Sequence, residues 1–292
     1  MRSDRPDRMD SGVSLVSSLL AAQFPQWAQL PVKAIDSAGT SNDMYRLGDD
    51  MVVRLPRTDG SADDVAKEHR WLPRLAPALP AAVPEPLGQG RPAEAFARAW
   101  SVYRWLEGEN PAVGRIPQPA PLARDLAEFV VALHRIDPAG APASYRSEPL
   151  ATRDSVTRGA LADLTGIVDT RPALAVWEAA LAVPAWDGPH VWIHADLQPG
   201  NLLIDSRGRL SAVIDFGCLG LGEPAVDMIA AWYVIPAEAR DIFRAAVGAD
   251  DATWARGRGW ALSVALLELR HYRVTNPRMA DIARHVIAEV LS

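Results

Sequence analysis

Residues 191–217 read VWIHADLQPGNLLIDSRGRLSAVIDFG, and this stretch decides the fold of the chain. Three short apolar runs, Val191–Ile193, Leu202–Ile204 and Ala212–Ile214, alternate with polar segments rich in Gly, Ser and Asp. Apolar runs bounded by turn residues predict a small antiparallel array of strands. The polar segments place an imidazole, two carboxylates and a carboxamide at the strand ends, from His194, Asp196, Asp215 and Asn201.

This set of side chains suits metal-assisted phosphoryl transfer. Asp196 can accept the proton of a nucleophilic hydroxyl, and Asn201 and Asp215 offer the hard oxygen ligands that Mg²⁺ selects. The spacing H-x-D-L-x-x-x-N, followed by D-F-G, is that of the catalytic loop and metal site of protein kinases. An ordinary hairpin with acidic turns is the alternative, and the joint spacing of all four groups favours the kinase-like interpretation.

Ala195 stands where protein kinases carry an arginine. A small residue between His and Asp resembles the aminoglycoside phosphotransferase family of antibiotic kinases and their small-molecule kinase relatives, where the motif is usually His-Gly-Asp. The resemblance runs from Gly39 to Asp227. It implies an α+β, two-lobed protein-kinase-like fold, with a β-rich nucleotide-binding lobe over residues 1–106 and a mainly helical catalytic and acceptor-binding lobe over residues 107–292. It also implies ATP or GTP as co-substrate, with Mg²⁺.

The resemblance assigns nucleotide-phosphate contacts to the first strands. The loop 37–42 contains a single glycine, Gly39, and is similar to the shorter phosphate loop of the antibiotic kinases, in which small polar residues such as Ser41 contact the nucleotide. Arg54 occupies the centre of the third strand, where protein kinases keep a phosphate-binding lysine. An arginine can clasp phosphate oxygens with two parallel hydrogen bonds. Glu68 on the next helix is its predicted partner, and a surface arginine beside an unrelated glutamate is the alternative.

Two further positions follow from the resemblance. The segment 100–108 predicts the last strand of the first lobe and the hinge, where the backbone of Trp105, Leu106 and Glu107 would bond to the base of the nucleotide. An ordinary edge strand is the alternative. Asp227, at the start of a predicted helix, fits the aspartate that braces the catalytic loop, and a plain helix cap is compatible with this role.

Composition limits the other possibilities. The 292 residues are 49% apolar and 23% charged, as in globular proteins. The single cysteine, Cys218, excludes an internal disulfide framework and favours a reducing cytoplasm, where a buried and inert thiol is the simplest interpretation. No apolar run approaches the ~20 residues that span a bilayer, so no membrane partner is expected. The N-terminus lacks a signal-peptide pattern.

The net charge of the chain favours some classes of acceptor over others. The net charge of −6 argues against nucleic acid, and it falls entirely on residues 106–292. An acidic lobe attracts cations, so the leading acceptor is an aminoglycoside-type antibiotic, although simple solubility explains the charge equally well. A macrolide or a small metabolite alcohol is the runner-up, and a nucleotide-binding pseudokinase is the alternative from another class. The short segment after D-F-G leaves no room for a protein-kinase activation segment, so no protein partner is inferred.

Overall fold

The structure is a computed structural model that describes residues 4–35 and 41–292, with side chains from residue 11 onward. Gly39 of the predicted phosphate loop therefore lies outside the described residues. The chain divides into two compact units, Met1–Pro77 with Ala82–Glu107, and Ala78–Ala81 with Gly108–Ser292.

The first unit is built on a five-stranded antiparallel sheet, in the order β1-β2-β3-β5-β4. Its elements are α1 (Asp4–Gln23), β1 (Val32–Ile35), β2 (Asn42–Leu47), β3 (Met51–Pro56), α2 (Asp59–Leu75), β4 (Pro86–Gly90) and β5 (Trp100–Arg104). The core forms where the apolar faces of α1 and the sheet meet, around Val16, Leu20, Leu47, Val53 and Trp100.

Helix α2 carries the partner of the third strand. Thr58 caps its first turn by accepting a hydrogen bond from the amide of Ser61, and Val65, Trp71 and Leu72 form its buried face. Glu68 lies on the same face and is 2% exposed, so the helix carries a carboxylate into the interior of the unit.

The second unit is mainly helical. It contains α3 (Pro119–Arg135), α4 (Asp154–Asp163), α5 (Thr170–Ala182), β6 (Val191–Ile193), β7 (Leu202–Ile204), β8 (Leu210–Val213), β9 (Gly220–Gly222), α6 (Ala230–Tyr233), α7 (Ala237–Val247), α8 (Asp251–Tyr272) and α9 (Pro277–Leu291). Helix α8 packs against α4, α5, α6 and α9 and is therefore apolar on most sides. The sheet in one unit and the helices in the other confirm the predicted α+β fold.

Two details differ from the sequence predictions. The strands around the catalytic stretch form two separate ribbons, β6 with β9 and β7 with β8, because β6 finds its partner downstream in a Gly-Leu-Gly segment. For residues 151–182 the sequence predicts a helical region broken near Arg171-Pro172, whereas in the structure the break lies at 164–169. Pro172 instead lies in the first turn of α5, where a missing amide hydrogen costs nothing.

Among the described residues, no helix combines the length and the apolar character that crossing a bilayer requires.

Candidate active site

The β7–β8 hairpin brings the two predicted metal ligands to the same end of one ribbon. Leu202 pairs with Val213, and the amide of Ile214 donates a 2.8 Å hydrogen bond to the carbonyl of Asn201. Asn201 therefore lies just before one strand of the pair and Asp215 just after the other.

Asp215 has an unusual backbone. Its φ of 62° and ψ of 74° lie in the left-handed region, which Asp tolerates better than most residues. A 3₁₀ turn, Phe216–Cys218, follows, and the buried Phe216 ring meets the His194 ring at 4.7 Å in an edge-on contact. The chain direction thus reverses sharply after Asp215, while Phe216 anchors the turn in the core.

Ala195 also has positive φ, at 66°, and is fully buried. This conformation explains why a small residue is needed between His194 and Asp196, because a bulky or β-branched side chain is strained there. Asp227 holds the turn: its carboxylate accepts hydrogen bonds from the amides of His194 at 3.1 Å and Ala195 at 2.7 Å. His134 bonds to the same carboxylate at 3.1 Å. These contacts match the bracing predicted for Asp227.

His194 supports the loop rather than facing a substrate. It is fully buried, and its Nε2 lies 3.1 Å from the carbonyl of Ile214, to which it must donate. Its Nδ1 accepts a 3.2 Å hydrogen bond from the amide of Asp196. The ring is therefore neutral, with its proton on Nε2, and it links the catalytic loop to the strand that precedes Asp215.

Three donors hold the carboxylate of Asp196. Oδ1 accepts from Arg146 Nη1 at 3.1 Å and from Gln198 Nε2 at 3.0 Å, whereas Oδ2 accepts from Asn201 Nδ2 at 2.8 Å. A carboxylate offers about four acceptor positions. Oδ1 is therefore filled, and Oδ2 keeps one position that can take the proton of an incoming hydroxyl.

Arg146 is a functional candidate that sequence reasoning missed. Its guanidinium is 11% exposed and also donates to the carbonyl of Ala195. Burial disfavours its charged form, but the charges of Asp196 and then of Cys218 and Glu268 raise its pKa above the ordinary value. No motif surrounds it in the sequence, so only the folded loop that precedes α4 could reveal it.

A second acid is linked to Asp196 through the side chain of Gln198. Gln198 Nε2 also donates to Glu268 Oε1 at 2.7 Å, and Tyr233 donates to Glu268 Oε2 at 2.8 Å. Burial, followed by the negative charge of Asp196, raises the pKa of Glu268 to about 7. Burial and the neighbouring Glu268 raise the pKa of the Tyr233 hydroxyl well above its usual value, so it remains a neutral donor.

The residues present fit a magnesium ion. The Asn201 side-chain amino group donates to the backbone carbonyl and to Oδ2 of Asp196, both at 2.8 Å. Oδ1 of Asn201 is therefore the atom that can face a cation. With the Asp215 carboxylate this makes two hard oxygen ligands. Mg²⁺ commonly takes one or two protein oxygens and completes its shell with water and phosphate. No cluster of three or more His, Cys, Asp or Glu ligands occurs among the described residues.

In the first unit, Arg54 and Glu68 lie in contact. Arg54 Nη1 is 3.2 Å from Glu68 Oε1 and 3.1 Å from Oε2. The Tyr103 hydroxyl donates to the same Oε2, and burial together with the Glu68 charge raises the pKa of Tyr103 well above its ordinary range. Arg54 is 12% exposed, so the pair is largely buried and its geometry is fixed from two sides. The phosphate-binding role of Arg54 stays a prediction.

The other residues predicted to contact the nucleotide are Ser41, Trp105 and Leu106. Ser41 is exposed, and its carbonyl accepts a 2.9 Å hydrogen bond from the amide of Arg57 at the end of β3. The amide of Trp105 donates to the carbonyl of Asp50 at 2.7 Å, and its ring is covered by Arg46 at 4.0 Å. Within the described residues, the amide of Leu106 has no hydrogen-bond partner, and the base-binding role of Trp105 and Leu106 stays a prediction.

The fold and the loop around Asp196 define a phosphotransferase that acts on hydroxyl groups. The chain belongs to the phosphotransferase enzyme family, whose model, labelled APH, matches residues 33–260. The resemblance read from the sequence is confirmed by this match. A comparison with curated proteins gave no significant match.

Solved structures with the same fold include antibiotic kinases. The GDP complex of wild-type aminoglycoside 2'-phosphotransferase-IIIa is 19% identical, with a TM-score of 0.75, over 96% of this chain and 98% of that one. The GDP and kanamycin complex of APH(2")-IIIa is 20% identical, with a TM-score of 0.74, over 94% and 97%. Macrolide 2'-phosphotransferase MphH from Brachybacterium faecium is 21% identical, with a TM-score of 0.63, over 95% and 98%. At these identities the likeness concerns the fold alone.

Proposed function

We propose that the protein transfers the γ-phosphoryl group of ATP or GTP to a hydroxyl of a small molecule, with Mg²⁺, and that Asp196 is the catalytic base. The observation that carries the proposal is the state of the Asp196 carboxylate, whose Oδ1 is filled by Arg146 and Gln198 while Oδ2 retains one acceptor position. A base held in this way loses little orientational freedom when the hydroxyl arrives.

Each assigned residue has a separate task. Asp196 Oδ2 orients the acceptor hydroxyl and takes its proton as the new oxygen–phosphorus bond forms and the bond to the leaving nucleoside diphosphate breaks. Arg54, oriented by Glu68, neutralises negative charge on the nucleotide phosphates. Asn201 Oδ1 and Asp215 would hold Mg²⁺, which supplies charge neutralisation at the phosphate oxygens when bound.

The acceptor that we propose first is an aminoglycoside-type antibiotic, which would make the protein a resistance enzyme. Two of the similar structures are aminoglycoside phosphotransferases, one of them bound to kanamycin, and residues 106–292 carry the whole net charge of −6. A macrolide is the second candidate, because the macrolide 2'-phosphotransferase has the same fold over 95% of this chain. A metabolite alcohol is the remaining alternative. A location in the cytoplasm stays a prediction.

A panel of acceptors tests this function. The purified protein is incubated with MgATP or MgGTP and with aminoglycosides, macrolides and small polyols, and each acceptor is analysed for the mass of one added phosphoryl group. A modified acceptor that is absent with Asp196→Asn identifies the substrate class. Nucleotide binding without modification of any acceptor, in a protein of wild-type stability, would instead support the pseudokinase alternative.

The two metal ligands should contribute unequally. We expect Asp215→Ala to abolish Mg²⁺-dependent nucleotide binding and Asn201→Ala to weaken it less, because a carboxylate brings a full charge to a hard cation and a carboxamide only a dipole. Isothermal titration calorimetry with a non-hydrolysable MgATP analogue measures both affinities. Asp205→Ala, in the turn of the same hairpin, is the control. Equal losses, or a larger loss for Asn201→Ala, would contradict the assignment.

Salt should distinguish cationic from uncharged acceptors. For an aminoglycoside we expect KM to rise by about threefold or more between low and high ionic strength. Salt screens the attraction between the cationic acceptor and the negative charge of residues 106–292. The same series with a macrolide and with the nucleotide as varied substrate gives the background. A salt-independent KM for the best acceptor would exclude long-range attraction as the source of its affinity.

A further inference from the structure

The side-chain amide of Gln198 bridges two acids. Its Nε2 donates both to Asp196 Oδ1 at 3.0 Å and to Glu268 Oε1 at 2.7 Å, which uses both hydrogens of the amino group. Gln198 is 7% exposed, so water does not replace these bonds. The amide cannot rotate by half a turn without placing its oxygen against two acceptor oxygens, and the bridge therefore has one orientation while both acids are ionised.

We propose that Glu268 is a positioning residue for Asp196, which it orients through the Gln198 amide, and that ionisation of Glu268 sets how firmly the base is held. The proposal rests on the proposed role of Asp196 in phosphoryl transfer. Glu268 bonds to Gln198 and Tyr233, so its influence on the base passes through Gln198 and through charge. Neither Gln198 nor Glu268 stands out in the sequence as part of the site.

The protonation state of Glu268 changes the bridge in a definite way. Because Gln198 donates to Oε1, a proton on Glu268 must lie on Oε2, where Tyr233 then has to accept instead of donate. The neutral acid is also a weaker acceptor at Oε1. Since the pKa of Glu268 is raised to about 7, this change falls in the range in which the enzyme would be assayed.

The titratable neighbours of Glu268 come from three elements. They are Asp196 in the catalytic loop, Arg146 in the loop before α4 and the neutral Tyr233 of α6, with Arg153 close to Arg146. Ion pairs that lie on α8 and around it include Arg158–Asp154, Arg158–Glu178, Arg270–Asp163, Arg240–Glu289 and Arg284–Asp281. Asp196 is therefore the main negative group that can raise the pKa of Glu268, and Arg146 the main positive group that opposes it.

The first test needs no substrate. Carboxyl ¹³C NMR of the full-length protein, labelled at glutamate, follows each titration, and Glu268→Gln assigns the Glu268 resonance. We expect a midpoint near pH 7 in the wild type, lower by about one pH unit in Asp196→Asn, because a like charge has been removed. In Gln198→Met the midpoint should rise, because the ionised form loses a hydrogen-bond donor. Glu289→Gln, which removes an ion-paired glutamate on α9, is the matched control and should leave the midpoint unchanged.

The second test is the pH dependence of phosphoryl transfer. We expect the wild-type kcat to increase through pH 7. Glu268→Gln should lack that step and lose about fivefold to tenfold in kcat at pH 8 with little change in KM, the size of one ordinary intramolecular hydrogen bond. Combining it with Gln198→Met should add little further loss, since both changes break one bridge. Glu289→Gln should keep the wild-type profile.

The outcomes separate this inference from the proposed function. An ordinary glutamate midpoint at position 268, a midpoint unmoved by Asp196→Asn, or a pH step that survives in Glu268→Gln would overturn the inference. A fall in affinity for the acceptor with unchanged kcat would show that Glu268 binds the acceptor instead. If the NMR coupling is present but no acceptor is phosphorylated, the proposed function fails while the bridge between the two acids stands.

Discussion

Replacing Asp196 should reduce kcat by about 10²–10⁴, the usual contribution of general base catalysis, while the affinity for MgATP changes little. The carboxylate keeps one acceptor position for an incoming hydroxyl, because Oδ1 takes two donors and Oδ2 only one. Without it, the acceptor hydroxyl has no partner for its proton. Single-turnover and steady-state kinetics measure the loss.

Two variants of Asp196 separate chemistry from folding. Asp196→Ala leaves the buried guanidinium of Arg146 without its carboxylate and can lower stability, whereas Asp196→Asn keeps the volume and an oxygen that accepts hydrogen bonds. Asp205→Asn, on the exposed turn between β7 and β8, is the matched control and should be active. A well-folded Asp196→Asn protein with a kcat near that of the wild type would remove Asp196 from the role of base.

Arg54→Ala should cost about 2–4 kcal/mol in kcat/KM, in line with the loss of one preorganised transition-state donor. Arg54→Lys should lose less, because it keeps the charge but not the planar fork that clasps two oxygens. Arg57→Ala is the control at the end of the same strand: this arginine forms an exposed ion pair with Asp43, at 2.7 Å, whose loss costs little. Unchanged kcat/KM in Arg54→Ala would mean that another cation binds the phosphates.

The choice of substitution at Glu68 depends on Tyr103, whose hydroxyl donates to the Glu68 carboxylate. Glu68→Ala would remove the buried acceptor that the Tyr103 hydroxyl and the Arg54 guanidinium share, so a loss of stability would obscure the kinetics. Glu68→Gln keeps one acceptor oxygen and is the better variant. Its effect should be milder than that of Arg54→Ala, and the double mutant should be less than additive because the two side chains act as a unit. Additive effects would separate Glu68 from the function of Arg54.

The sequence predicted those parts of the site that are local in the chain. The spacing from His194 to Asn201, and then to Asp215, is set by one loop and one hairpin, so residue types and distances along the chain were sufficient. The contact between Arg54 and Glu68 was also predicted, because a strand followed by a helix brings a few positions together. The bond of the Trp105 amide to Asp50, in a neighbouring turn, was not predicted from the sequence.

The groups that surround Asp196 could not be predicted from the sequence. Arg146, Tyr233 and Glu268 are separated from Asp196 by 50, 37 and 72 positions and lie in no recognisable motif. The same holds for the pairing of β6 with β9, whose strand contains two glycines and lacks an apolar pattern. Contacts of this kind depend on how helices α6 and α8 pack, and packing depends on the shape of the whole unit.

The sequence by itself therefore determined the family, the α+β fold and the candidate base and metal ligands, because these reside in short stretches whose chemistry and turn geometry are local. Only the tertiary structure decided which oxygen of Asp196 remains available and that Glu268 has a pKa of about 7. Both properties arise from burial and from charges carried by distant segments, and a side chain acquires them only when the folded chain removes it from water and surrounds it with those partners.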